Sequence, residues 1–249
     1  MELKQANKEK AIMKMALQGL SSSGKSLSAL FIAKGMSNSD LSKVAVIDTE
    51  NSIELYHHVG KFNVLKLLPP FSPQRYIEAI KTCEDSGMEV IIIDSISHCW
   101  NYLLQAHAAL QGNSFTNWQK VTPVHNGFVQ RIMDSPCHII CTMRSKQDYL
   151  MQTTAGKTTI EKVGLRAIQR TGIEYDFTTV FDIGLNHYAK AVKDRTGLFL
   201  DLPAFMITEE TGQKVYQWCN PVGYQDVKKN IINNLTTVNQ NGNFRSIAN

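Results

Sequence analysis

Apolar residues fall along this chain in two alternating rhythms. Short runs of strand length at residues 12–18, Val44–Asp48, 63–67, Val90–Asp94 and 138–142 alternate with stretches of helical spacing. One such stretch opens near Lys25, one covers 73–86 through Tyr76, Ile77, Ile80 and Cys83, and one covers 118–134. Val90-Ile91-Ile92-Ile93 is unbroken aliphatic, as a strand buried on both faces should be. Strands alternating with helices predict an α/β fold: a mostly parallel central sheet with helices on both faces. From Thr178 the rhythm changes. Residues 178–185, 187–192 and 205–208 read as neighbouring antiparallel strands, Thr211-Gly212 as a turn, and 224–235 as a closing helix. A single domain is expected over 1–235, followed at 236–249 by a frayed tail rich in Asn, Thr, Gln and Gly. The weakly periodic stretch 144–169 predicts a long functional loop.

Composition narrows the setting. The chain has 249 residues, 43% hydrophobic and 19% charged, enough to build a core without disulfide staples. Five cysteines include no C-x-x-C pair; Cys137 and Cys141, four apart in a strand, read as small buried hydrophobes in a reducing compartment. No apolar segment approaches the ~18 residues of a membrane span, and the charged N-terminus lacks a signal pattern, so a cytoplasmic protein without membrane contact is expected. A net charge of +4 permits a nucleic-acid partner without demanding one. The histidines fall at spacings no zinc site uses, and His98, four residues after Asp94, reads as a hydrogen-bonded structural residue near the crevice.

The clearest chemistry lies in Gly19-Leu20-Ser21-Ser22-Ser23-Gly24-Lys25-Ser26, which has the spacing G-x-x-x-x-G-K-[ST] between the first strand and the first helix. Gly19 and Gly24 let the chain turn so that backbone amides along Ser21, Ser22 and Ser23 converge on phosphate oxygens. Lys25 brings a point charge to the β- and γ-phosphates, and Ser26 offers a hydroxyl to magnesium. The helix continuing through Leu27 aims its amide-rich end at the same anion. ATP and Mg²⁺ are the expected ligands. Asp94, closing a buried strand, is placed to hold the magnesium directly or through water.

Hydrolysis needs a group to orient or deprotonate water. The second strand ends in Asp48-Thr49-Glu50, where Glu50 either serves as that base or caps the following turn. The run Ile47-Asp48-Thr49-Glu50-Asn51, then Tyr56, then Ile91-Ile92-Ile93-Asp94-Ser95, resembles the nucleotide site of the RecA recombinase family. That resemblance implies a RecA-like P-loop NTPase fold with Glu50 as the catalytic carboxylate. Ala191-Val192-Lys193-Asp194-Arg195-Thr196-Gly197-Leu198-Phe199 resembles the family's paired cations, which implies that Lys193 and Arg195 reach the γ-phosphate of a neighbouring subunit. Read alone, the segment is a solvated charged turn.

The resemblance covers about residues 11–215 and is densest with small phage-encoded RecA-like AAA-family ATPases linked to single-strand DNA annealing. Asp94-Ser95-Ile96-Ser97-His98-Cys99-Trp100, Ser135-Pro136-Cys137-His138-Ile139-Ile140, Thr142-Met143-Arg144-Ser145-Lys146 and Lys193-Asp194-Arg195-Thr196-Gly197 carry it. It implies single-stranded DNA as partner, a homo-oligomer (ring or filament), a single-strand-binding protein as a further partner, and the host cell cytoplasm as location. Compared with the full-length recombinases, the N-terminal polymerisation element and the C-terminal DNA-gathering domain are expected to be missing, so the resemblance speaks more directly for nucleotide binding than for filament formation or strand exchange. Thr142 and Arg144 stand where the recombinases place a phosphate-sensing Gln; the nearest Gln here is Gln147.

Residues following Arg144 occupy the position of the recombinases' DNA-binding loop. They include Lys146, Lys157, Lys162, Arg166 and Arg170 with Tyr149 among them, cations for phosphates and an aromatic for a base. An ordinary surface loop is the alternative. Phe115 and Trp118 offer a second contact or pack inside. Other classes fit less well. Ser145-Lys146-Gln147-Asp148 mimics a guanine-specific element, but Ser97 stands where a GTP switch needs Gly three residues after Asp94. A small-molecule kinase, and a regulatory or assembly ATPase that binds no DNA, are the remaining readings.

Overall fold

The computed structural model describes residues 10–221, apart from 155–156 and the side chains of residues 149–163. The helix expected over 224–235 and the tail at 236–249 lie outside the described residues. The strands are β1 (Lys14–Gly19), β2 (Val44–Asp48), β3 (Asn63–Lys66), β4 (Val90–Asp94), β5 (His138–Thr154), β6 (Lys157–Ala167), β7 (Thr179–Ile183), β8 (Tyr188–Asp194) and β9 (Phe205–Met206). The helices are α1 (Lys25–Met36), α2 (Pro73–Asp85), α3 (Ser97–Ala109), α4 (Ser114–Asp134) and α5 (Glu209–Cys219). The sheet order is β3-β2-β4-β5-β1-β7-β8-β9, with β6 paired only to β5. Strands from β3 to β7 along this order run parallel, and β8 and β9 are antiparallel, as the late change of rhythm predicts.

Period-two alternation sends successive side chains to two cores. Met15, Leu17, Val44, Val46, Val90, Ile92 and Ile140 pack on one face with α1 and α5. Ala16, Ala45, Ile47, Ile91, Ile93, Ile139 and Cys141 pack on the other with residues of α2 and α4. Cys137 joins Cys141 in that second core, and the free cysteines are all buried. Lys14 is buried at the start of β1 and donates to the carbonyls of Ser135 and Cys137, both at 2.7 Å, tying β1 to the entry of β5. No helix among the described residues is long and apolar enough to cross a membrane.

Two expectations change, and one helix is added. Thr211-Gly212 is not a turn but lies inside α5, which opens with a capping box between Thr208 and Thr211 and carries Glu209 and Glu210 in its first turn. Gly212 is there because α5 crosses α1 at backbone contact. A Cβ on it would stand 2.1 Å from the Ile32 carbonyl oxygen, and one on Gly35 would stand 2.1 Å from that of Glu209. Gly212→Ala should therefore lower stability by about 2–3 kcal/mol, the upper range for forced overpacking. Gly127→Ala in α4, where an added Cβ meets nothing within 4 Å, should stabilise by about 0.5–1 kcal/mol through helix propensity. Thermal midpoints moving in the same direction for both would refute this packing account.

Residues 144–169 are also not a loop. β5 continues past the sheet and pairs antiparallel with β6, from Ser145↔Ala167 out to Thr154↔Lys157, with a bulge at Asp148/Tyr149. Backbone ladder bonds hold this ribbon, and its sequence mixes polar residues at both parities, so no apolar alternation announces it. Helix α3, with only Ser97, Cys99 and Leu103 buried, is likewise absent from the apolar pattern.

Candidate active site

The C-terminal ends of β1, β2 and β4 and the Thr142–Arg144 part of β5 meet at one edge, where a parallel sheet opens a ligand crevice. Gly19 is paired with Arg144, and Asp48 with Asp94. Because β5 lies between β1 and β4, Thr142 and Arg144 stand between the phosphate loop and Asp94.

The loop itself curls as its residue types require. Ser22 has φ 66° and Gly24 φ 90°, the left-handed region that glycine enters at no steric cost. At Gly19 a Cβ would fall 2.4 Å from Ser23 Oγ. Lys25 is only 9% exposed and donates to the Leu20 carbonyl at 2.8 Å. Burial lowers its pKa, opposed by Asp94 and Glu50. The Ser23 hydroxyl is buried without a partner.

Asp94 is 2% exposed. Its Oδ1 accepts from the Thr142 hydroxyl, while its buried Oδ2 has no partner. Burial raises its pKa, and hydrogen bonds from Ser26 and Thr142 oppose the rise. An unpaired buried carboxylate oxygen is costly, and a hard cation beside it and the Ser26 hydroxyl relieves the cost. One carboxylate, one hydroxyl and phosphate oxygens are magnesium's usual donors, so Ser26 and Asp94 fit that ion. Bound there, magnesium would neutralise charge on the β- and γ-phosphate oxygens.

Asp48, not Glu50, caps the turn after β2. Its Oδ1 accepts from the amides of Glu50 and Asn51 at 2.9 and 2.8 Å, and its Oδ2 from those of Ser52 and Ile53 at 3.1 and 3.2 Å. Glu50 instead reaches the crevice, where it meets Ser95 and Arg144. Thr49 fastens this turn to the end of β4: its hydroxyl accepts from the Ser95 amide at 2.8 Å and lies 2.8 Å from His98 Nδ1. His98 stacks on Phe71 with ring centroids 4.8 Å apart, a packed and hydrogen-bonded residue.

Beside the phosphate loop opens a cavity of about 420 Å³ lined by Gly24, Leu27, Phe31, Tyr56, His187, Met206 and Ile207 among others. An aromatic and apolar slot next to a phosphate site suits a nucleobase. His187 is fixed by a 3.1 Å contact between its Nδ1 and the Ser23 carbonyl oxygen. Sequence reasoning missed His187, Met206 and Ile207, which arrive from the late antiparallel strands with no local motif to mark them.

The remaining predicted residues lie elsewhere. Lys193 donates to the carbonyls of Glu174 and Tyr175 at 2.8 and 2.5 Å, and Arg195 to that of Tyr175 at 2.9 Å. On β8 Lys193 pairs with Val180, which pairs with Ala16 of β1, so it stands down-strand from Gly19 and away from its own chain's phosphate loop. Arg166 and Arg170 join Lys193 around a separate cavity of about 340 Å³ at the foot of the ribbon. Lys146 is exposed on β5, while the side chains of Tyr149, Lys157 and Lys162 lie outside the described ones. Phe115 is exposed, and Trp118 stacks between Trp100 and His107 rather than standing free.

No curated protein matches this chain. A family model described as an AAA domain matches residues 11–224, from β1 through α5 and including each element of the crevice. With its phosphate loop, buried Asp94 and parallel sheet, the chain belongs to the AAA-domain family of P-loop ATPases.

Proposed function

We propose that the protein is a RecA-like ATPase that hydrolyses ATP with magnesium, assembles with copies of itself, and acts on single-stranded DNA in recombination or annealing, as the phage-encoded proteins it resembles do. In this reading the loop amides and Lys25 hold the β- and γ-phosphates. Glu50 takes a proton from the attacking water, and the new oxygen bond to the γ-phosphorus forms as the bond to the β–γ bridging oxygen breaks. ADP leaves with that electron pair, and Lys25 and Arg144 offset the charge that develops.

The observation that supports a DNA-linked ATPase most is the continuity of β5. One strand runs from Thr142, on Asp94, through Arg144, on Glu50, into a ribbon of ten paired positions carrying Lys146 and facing Lys157, Lys162 and Arg166 across the ladder. At ~3.3 Å per residue the ribbon reaches roughly 30 Å. A cationic arm of that length suits a phosphodiester strand, and its rooting in the catalytic edge gives DNA a route to hydrolysis.

The test is turnover with and without single-stranded DNA, together with binding across a salt series. If about four of these cations meet phosphates, log affinity against log salt should slope at roughly −3 for a single strand. Lys157→Ala/Lys162→Ala should flatten it by about 1.4 units. Binding that ignores salt, or turnover that ignores DNA, would favour an assembly ATPase without nucleic acid.

A further inference from the structure

Glu50 is not free to act as a base in this arrangement. Arg144 Nε donates to Glu50 Oε1 at 2.7 Å and Arg144 Nη2 donates to Oε2, a two-pronged grip, and the Ser95 hydroxyl donates to Oε1 at 3.1 Å. Burial alone would raise the Glu50 pKa, yet the bonds and charge of Arg144, with His98 and Ser95, hold it below the ordinary carboxylate range. Three of the four acceptor directions of this carboxylate are taken, and its lowered pKa leaves it a weaker base than proton abstraction needs.

Arg144 also stands beside the phosphate loop. Its Cα pairs with Gly19, the first residue of the phosphate loop. Its charge acts on Lys25 and is acted on by Asp94, the groups that flank a γ-phosphate. Its amide is pinned to Ser97 Oγ at 2.9 Å, whereas its side chain is 42% exposed, so the guanidinium can swing while the backbone stays.

We propose that Arg144 is a latch on Glu50 that the γ-phosphate of ATP displaces, so that the base is released only when a triphosphate is present to be hydrolysed. A terminal phosphate offers a guanidinium the same forked geometry as a carboxylate with about twice the charge. ADP ends one phosphate short and leaves the latch closed. Released, Glu50 accepts the proton of the attacking water while Arg144 stays on the phosphoryl oxygens. The inference rests on the ATPase reading and adds to it a positioning role for Arg144 that separates triphosphate from diphosphate.

Competition for one guanidinium predicts a sign. Glu50→Gln weakens the competitor, so it should tighten binding of a non-hydrolysable ATP analogue by about five- to tenfold and leave ADP binding unchanged, since the closed latch no longer reduces the competent fraction. Loss of simple repulsion between Glu50 and phosphate would also favour the analogue. The Arg144→Ala background separates the two: repulsion survives there, but a latch has nothing left to hold. Titration calorimetry on the single and double variants should find the gain abolished in Arg144→Ala and partly kept in Arg144→Lys, which retains charge but loses the fork. Thermal melts confirm that each variant is folded. An equal gain in the Arg144→Ala background, or no gain at all, overturns the latch. If Glu50→Gln also keeps wild-type turnover, the ATPase role of Glu50 fails with it; if turnover falls but the gain does not depend on Arg144, the latch alone fails.

Discussion

Glu50→Gln is expected to slow ATP hydrolysis by a factor on the order of 10²–10⁴ while nucleotide binding persists, the loss that follows removal of a general base. The substitution preserves length and the capacity to accept from Ser95, and removes the negative charge that draws a proton from water. Local structure should survive, because the four amides of the turn are satisfied by Asp48 and not by Glu50. A large rate loss with an unchanged melting profile therefore assigns the effect to chemistry. Single-turnover hydrolysis measured beside equilibrium binding makes that separation. Retention of wild-type turnover would mean that another group prepares the water and that Glu50 serves only its pairing with Arg144.

Which of these features could be read from the chain depends on the range of the interaction that creates them. The phosphate loop is local: Gly19 through Ser26 fold against one another, and the residue types carry the geometry. Asp94 was legible because four consecutive aliphatics imply a strand buried on both faces, and whatever ends such a strand sits at the crevice. Two carboxylates two residues apart, Asp48 and Glu50, could not be assigned to capping and catalysis from spacing, since either could turn toward the new amides. The structure gives the capping to Asp48 and turns Glu50 toward Arg144, 94 positions away in sequence.

Other misses have equally specific causes. In α5, Thr211-Gly212 has the composition of a turn, and the overriding need for glycine against Ile32 exists only once α1 is in place. The Thr208 cap with Glu209 and Glu210 behind it was the local signal for that helix. In the ribbon, stability comes from ladder bonds between two polar strands, which leave no period-two apolar trace. The cavity beside the phosphate loop depends on Tyr56, His187 and Met206, brought together only by closure of the sheet.

On the proposed assembly, a comparably large effect should come from Lys193 and Arg195, two cations placed away from their own chain's phosphate loop. Lys193 and Arg195 cannot close their own chain's phosphate site. Lys193 lies level with Ala16, three positions before Gly19 along β1, and two strands across the sheet. That places it ~10 Å down-strand and about as far sideways. Lys193 rests on the carbonyls of Glu174 and Tyr175 and Arg195 on that of Tyr175, weak partners that a stronger anion would displace. Neither is in an ion pair among the described residues. A phosphoryl group in transfer gains most from a cation that closes its open side, and a finger supplied by a neighbour is worth ~10³–10⁵ in rate. Lys193→Ala/Arg195→Ala should accordingly bind ATP almost as wild type does and lose about three orders of magnitude in turnover. Mixing this variant with Glu50→Gln, itself inactive, should restore part of the activity, because a mixed interface joins an intact Glu50 on one subunit to intact cations on the next. Specific activity of the wild type should also fall on dilution as subunits separate. Activity that holds constant on dilution, with no rescue on mixing, would return Lys193 and Arg195 to the role of a solvated turn.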